Sequence, residues 1–343
     1  MLKSGRGPRN LITDVAGLRV GQAEDEAART GVTVILADDR AVCACDVRGG
    51  APGTRETDAL APETLVDAAD AVVLAGGSVY GLAAADGVTA VLGAAAKGYR
   101  LSTAPGVPVS PIVPAAILYD LANGGATDWG ESPPYRDLGV AATRNAGVRF
   151  ALGAAGAGLG AMAGRLKGGV GSASVVSEDG FTVGAIVAVN SYGSVVAPGG
   201  RTFWAAPYEI GAEFGGLGAA GLVAAPDDWG LSKGPADANA GRTNTTIACV
   251  ATDAALTPAE AKRVAIMAQD GLARAIRPAH APFDGDVVFA FATGKRPLGE
   301  RRMLDVARLG ALAADCLARA IARGVFEATA WPGANVTCWR DLR

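Results

Sequence analysis

The chain offers one histidine among 343 residues, so a nucleophile in it has little choice of base. A Ser-His-Asp arrangement is open only if His280 supplies the imidazole, and sites built from several histidines are excluded. The segment Asn244-Thr245-Thr246-Ile247 suggests another route. A polar, glycine-containing stretch from Asp237 to Asn244 runs straight into an apolar run that begins with threonine. Taken alone, threonine opening a strand is ordinary β-propensity. If the peptide bond before Thr245 were cut, the new α-amino group would have a pKa near ~7.7–8.0. Such an amine can take the proton from its own threonine hydroxyl, with no histidine involved.

Other constellations carry weaker chemistry. Asp284-Gly285-Asp286 with His280 nearby gives two carboxylates and one imidazole, a poor metal site but a plausible pair for orienting a base or ammonium. Gly76-Gly77-Ser78-Val79-Tyr80-Gly81 follows an apolar run, yet a nucleophile elbow needs glycine one place earlier, so these glycines read as a close backbone approach at a site wall. Gly153 to Ala163 contains G-x-G-x-x-A with Glu178 downstream, but further glycines interrupt the helix a dinucleotide fingerprint requires. It reads as a tightly packed turn. The charged, glycine-rich stretch Asp46 to Asp58 is either a functional loop or a self-satisfied ion-pair turn.

The elements that must position these residues read as a layered α/β chain. Residues 31–37, 41–47 and 71–74 read as strands, and 168–196 as a β-meander with turns at Glu178-Asp179-Gly180 and Ser191-Tyr192-Gly193. Residues 81–96 and 112–123 read as buried, alanine-rich helices. A strand at 245–251 precedes Thr257-Pro258-Ala259-Glu260, a capping box with proline at the first helical position. The helix it opens stops at Pro278, a strand follows at 287–293, and a last helix covers about 301–323.

Composition narrows the function classes. Net charge is −3 with acids and bases interleaved, so no basic patch for nucleic acid is expected. The apolar run between Arg149 and Arg165 is shorter than the roughly 20 residues that span a bilayer. The first residues lack the apolar core of a signal peptide. The cysteines, Cys43, Cys45, Cys249, Cys316 and Cys338, form no C-x-x-C pair and read as reduced, buried thiols of a cytoplasmic protein. No cofactor is expected.

Ordered motifs give the chain a resemblance to a known family. They are Asn10-Leu-Ile-Thr-Asp-Val, Asp46-Val-Arg-Gly-Gly, Leu74 to Leu82, Val113 to Asp120, Lys167-Gly-Gly-Val-Gly-Ser, Val183 to Asn190, Asn244-Thr-Thr-Ile and Asp284-Gly-Asp286. Over nearly its whole length the sequence resembles the self-processing L-aminopeptidase/D-esterase (β-peptidyl aminopeptidase) family. It is most similar to the branch containing endo-type 6-aminohexanoate-oligomer hydrolases. The resemblance implies a single domain, an αββα sandwich resembling N-terminal nucleophile hydrolases with different connectivity. It implies cleavage between Asn244 and Thr245 into an α-chain of residues 1–244 and a β-chain of 245–343, and commonly a homotetramer.

The site residues follow from the same resemblance. Thr245 matches the nucleophile, Lys167 and Asn190 match residues lining the site, and Tyr119 matches a tyrosine whose hydroxyl helps the oxyanion. Asp284 and Asp286 match an acidic pair that orients nucleophile and lysine. Lys167 near Asp286 would then act as a donor or proton relay, and an Asn190 amide aimed at the oxyanion would contribute roughly 3–4 kcal/mol. The implied activity is hydrolysis of amides, small peptides or ω-amino acyl oligomers. An acyltransferase resembling ornithine acetyltransferase, or a ligand-binding protein on the same scaffold, are the alternatives.

Overall fold

The computed structural model describes residues 4–220, 222–234 and 244–342. The polar stretch expected before Asn244 falls, over 235–243, outside the described residues. In chain order the first half contains β1 (Gly5–Arg6), β2 (Leu18–Asp25), β3 (Thr30–Val47), β4 (Thr54–Arg55), β5 (Ala68–Ala75), α1 (Ala84–Ala94), β6 (Ala115–Ile117) and α2 (Tyr135–Arg144). It continues with β7 (Met162–Ala163), β8 (Leu166–Lys167), β9 (Gly169–Val176) and β10 (Thr182–Asn190). The last part contains β11 (Thr245–Ala254), α3 (Pro258–Ala268), α4 (Asp270–Ala275), β12 (Val287–Arg296) and α5 (Arg302–Phe326).

Strand alternation sorts the apolar side chains into three layers of core, which stack the chain as helices, sheet, sheet, helices. On β10, Val183, Ala185, Val187 and Val189 face one way, against Leu309, Leu317 and Ile321 of α5 and Val264 of α3. The intervening Ile186 and Ala188 face the other way, meeting Ile247 and Cys249 of β11, Phe289 and Phe291 of β12, and Ile35, Val72 and Leu74 from β3 and β5. The second sheet turns Val32, Val34, Leu36 and Val73 outward onto Val88 of α1 and Ala142 of α2. Cys43 and Cys45 belong to the inter-sheet core, and all five cysteines are unpaired and buried.

One strand joins the two sheets. The first half of β3 pairs antiparallel with β2 on one side and β5 on the other, and its second half, Val42 to Val47, pairs with β12. The main ladder runs β1-β9-β10-β11-β12-β3-β5-β6-β4. The two expected strands at 31–37 and 41–47 are therefore one strand of 18 residues, with its register shifting between Leu36 and Ala41 on the β5 side.

Two further expectations need correction. Residues 112–123 are not helical: Ala115–Ile117 is the strand β6, paired parallel with β5. Pro111 and Pro114 bias the chain away from helix there, and a short buried apolar run has the same hydrophobic pattern in either state. The helix opened by the Thr257–Glu260 capping box forms as expected, with Glu260 N–H donating to Thr257 Oγ1, but it breaks at Gln269 into α3 and α4. Strand β2 and helix α2 were not anticipated from the sequence.

Candidate active site

Thr245 opens β11 between two neighbours: Asn190, its register partner at the end of β10, and the turn leading into β12. Asn244, Thr245, Asp284 and Asp286 are all buried. Asn244 bridges to Asp284 in parallel fashion, and Gly285 N–H donates to the Asn244 carbonyl at 3.1 Å. Thr245 Oγ1 donates to that same carbonyl. The peptide bond before the threonine is thus contacted by the threonine's own hydroxyl and by a main-chain amide of the acidic turn.

The acidic turn is held from both sides. Asp286 Oδ1 accepts Thr246 N–H at 2.7 Å, and Asp286 Oδ2 lies 3.1 Å from His280 N and 2.9 Å from His280 Nδ1. Asp284 Oδ2 accepts Ala281 N–H at 2.9 Å, whereas Asp284 Oδ1 is buried with no partner among the described residues. Burial, then the neighbouring Asp286 charge, push the Asp284 pKa up to about 7, against the opposing pull of the Ala281 and Tyr192 amides and the Lys233 cation.

The Asp46–Asp58 stretch begins with the expected ion pair and also packs against the acidic turn. Asp46 is ion-paired to Arg48 at 2.6 Å and to Lys262 at 3.0 Å, and these contacts outweigh its burial to lower its pKa. The glycines beyond it clasp the acidic turn: Arg48 and Gly49 N–H groups donate to the Asp286 carbonyl at 3.0 and 3.2 Å, and Ala51 N–H donates to the Asp284 carbonyl at 2.8 Å. A Cβ on Gly49 would lie 2.3 Å from main-chain atoms of that turn, so only glycine fits.

Asn190 and Tyr119 come together beside Thr245. Asn190 Nδ2 donates to the Tyr119 carbonyl at 3.0 Å, and its Oδ1 accepts Met162 N–H at 2.9 Å. Both residues line a cavity of about 110 Å³ together with Asp120, Asn123, Gly160, Met162 and Lys233. Burial lifts the Asp120 pKa to about 6 against the pull of the Thr30 hydroxyl and the Gly77 amide.

Lys167 is buried at the end of β8. Its ammonium donates to the carbonyls of Gly158, Ala161 and Gly168 at 3.1, 3.0 and 2.7 Å and lies 5.0 Å from the Trp331 ring centre, with no bond to Asp286. Three carbonyls use its three donors, and burial drives its pKa down to about 7 despite the Cys338 and Asp120 charges. The lysine at the Asn244–Thr245 junction is Lys233, whose Nζ donates to Asn244 Oδ1 at 2.8 Å. Sequence reasoning missed Lys233 because it sits in a Pro/Gly/Asp-rich stretch without periodicity.

The remaining candidates fall out. Ser78 has a left-handed φ of +53°, but among the described residues no hydrogen bond joins its hydroxyl to a base. The glycine-rich Gly153–Ala163 stretch is a turn with a 3-10 segment at Gly156–Gly158, where a Cβ on Gly158 would lie 2.2 Å from Val170 N. Among the described residues no three His, Cys, Asp or Glu side chains are placed to hold a metal ion. Among them also, no helix is long and apolar enough to cross a membrane.

Comparison with known proteins shows the family of the chain. An uncharacterized aminopeptidase of Mycobacterium tuberculosis is 45% identical, covering 97% of this chain and 98% of its own. A 6-aminohexanoate-oligomer endohydrolase of Kocuria sp. is 30% identical over 91% of this chain and 84% of its own. Among solved structures, the L-aminopeptidase D-Ala-esterase/amidase of Ochrobactrum anthropi, described as a variant of the Ntn hydrolase fold, superposes with a TM-score of 0.69 at 22% identity, over 100% of this chain and 92% of its own. The peptidase family S58 signature matches residues 10–338. With its layered fold and a threonine buried against an acidic turn, the chain belongs to peptidase family S58 and is a hydrolase of peptide or amide bonds.

Proposed function

We propose that this hydrolase frees its own nucleophile by cutting between Asn244 and Thr245, leaving one domain composed of an α-chain, 1–244, and a β-chain, 245–343. The observation that carries the reading is the Asn244 carbonyl, which accepts both the Thr245 hydroxyl and the Gly285 amide. In the self-reaction Thr245 Oγ bonds to the Asn244 carbonyl carbon while the Gly285 N–H stabilises the oxygen as charge develops on it. The C–N bond breaks, the hydroxyl proton passes to the departing nitrogen, and an ester remains. Water hydrolyses the ester, leaving a carboxylate on Asn244 and a free amine and hydroxyl on Thr245.

In the mature enzyme the freed amine accepts the hydroxyl proton as Thr245 attacks a substrate amide carbonyl. The acyl group rests on Thr245 until water releases it. Asn190, Tyr119 and Lys233 line the cavity beside the nucleophile, while Asp284 and Asp286 support it from the other side. Lys167 acts from beneath the Gly158–Gly168 turn, shaping the cavity wall through the carbonyls it binds. The substrates in this reading are small peptides, aminoacyl amides and esters. The identity to 6-aminohexanoate-oligomer endohydrolases favours ω-amino acyl oligomers as a second class. Residence in the cytoplasm accords with five free, buried thiols, and a homotetramer of αβ units completes the proposal.

Denaturing mass spectrometry of the purified wild type should give two fragments that divide before Thr245, and Thr245→Ala should remain whole and inactive. A wild type that hydrolyses amides while beginning solely at Met1 would end the reading. A panel of aminoacyl amides, β-peptides and 6-aminohexanoate oligomers, run with and without added amine acceptors, separates hydrolysis from acyl transfer.

A further inference from the structure

The chain's single histidine lies in the site. Asp286 is the carboxylate beneath the strand that Thr245 opens, and its side chain is 3% exposed. One oxygen holds the Thr246 amide at 2.7 Å. The other lies within reach of two nitrogens of one residue, His280 N at 3.1 Å and His280 Nδ1 at 2.9 Å. A ring lone pair facing a carboxylate would repel it, so Nδ1 carries a proton here, in the neutral tautomer or the imidazolium.

Main-chain geometry supports the arrangement. His280 adopts a left-handed φ of +57°, a conformation that costs a side-chain-bearing residue energy and persists where surroundings enforce it. That conformation lets the amide and the ring reach the same oxygen. Among the described residues, no other cationic side chain forms an ion pair with Asp286. The neighbouring carboxylate, Asp284, offers it no positive charge.

We infer that His280 is a positioning residue for the hydrolysis proposed above: its ring fixes the Asp286 carboxylate, which fixes the Thr246 amide and so aims Thr245. The inference rests on Thr245 being the nucleophile. Without the ring, Asp286 keeps the two main-chain donors but can rotate toward solvent or toward Asp284, and the strand end carrying the nucleophile loses its anchor. A defect of aim slows the chemical step more than it weakens binding.

The test compares wild type with His280→Ala, His280→Asn and His280→Gln as full chains, reading the rate of self-cleavage and kcat and KM on L-alanyl p-nitroanilide. Asparagine places an amide N–H where imidazole Nδ1 stands, whereas glutamine carries its amide one bond further out. Expected are a fall in self-cleavage rate and kcat of about tenfold for His280→Ala with KM nearly unchanged. His280→Asn should recover most of that loss and His280→Gln should not. If His280→Ala fails to fold, the contrast between the Asn and Gln variants decides. Wild-type rates in His280→Ala, an effect confined to KM, or Asn and Gln variants that behave alike would overturn the inference. A wild type that is never cut before Thr245 overturns the parent reading as well, whereas a cleaved wild type with an unimpaired His280→Ala overturns this inference alone.

Discussion

Gly285 and Thr245 are in contact: a Cβ on Gly285 would stand 2.7 Å from Thr245 Oγ1 and 2.9 Å from the Ala51 carbonyl. The acidic turn can approach the hydroxyl only because residue 285 has no side chain. Gly285→Ala should therefore displace the hydroxyl or the turn and slow both self-cleavage and amide turnover by at least about tenfold. A time course of fragment appearance on denaturing gels checks this, and cleavage at the wild-type rate would refute it.

Lys233 holds the side chain of the residue before the proposed cut, at 2.8 Å from Asn244 Oδ1. A charge-assisted bond of this kind contributes about 1.5–3 kcal/mol. Lys233→Met should slow self-cleavage roughly tenfold or more, and Lys233→Arg should slow it less. Equal rates in wild type and Lys233→Met would remove Lys233 from the processing step.

Asp284 makes the stability of the uncut chain depend on pH. Its folded pKa, raised to about 7 by burial and by Asp286, lies above the ordinary carboxylate value near 3.8. The folded state therefore holds a proton between those values that the unfolded chain releases. This favours folding most at low pH, and the advantage is lost as pH rises toward 7. Asn at 284 cannot ionise. Placed in the uncleavable Thr245→Ala background, Asp284→Asn should gain in Tm relative to its parent by about 2 °C or more on going from pH 5 to pH 8. Calorimetry showing the gain to shrink with pH would contradict the assignment.

The buried pair far from the site governs stability in another way. Arg319 Nε donates to Glu213 Oε1 at 2.6 Å and Arg319 Nη2 to Glu213 Oε2 at 3.0 Å, with both side chains 2% exposed. Arg319 also reaches Asn10 Oδ1 at 2.8 Å and the Ser174 carbonyl at 3.0 Å. Glu213→Ala strands the guanidinium and should cost about 3–5 kcal/mol in urea titration, while Glu213→Leu combined with Arg319→Met should cost less than the single change. A double variant weaker than the single one would show that the pair itself is strongly stabilising.

What could be read from the sequence follows the range of the interactions involved. The Thr257–Glu260 capping box is written within four residues and the β9–β10 hairpin within its own turn, so both were legible. The third strand of the expected 168–196 meander is absent among the described residues, and residues 194 and 196 form only isolated bridges. Residues 112–123 misled because a parallel strand buried on both faces shows no alternation, and only the prolines spoke against a helix. Thr245 could be singled out because its mechanism needs only itself and a broken bond. The carbonyls that Lys167 binds, and the contact of Lys233 with Asn244, were not legible, because which carbonyl or amide a lysine reaches is decided by the packing of distant loops. His280 was noticed for its type, while its bond to Asp286 depends on a backbone angle that sequence does not display.

Strand β3 has a consequence for timing. It emerges early in synthesis, yet its second half can find β12 only after all the other strands have been made, and the acidic turn immediately precedes that partner. On a growing chain Thr245 thus leaves the ribosome before the carboxylates and the Gly285 amide that surround it. If the proposed self-cleavage occurs, a nascent chain stalled short of β12 should stay intact, because the acidic turn is in place only once β12 has paired with β3.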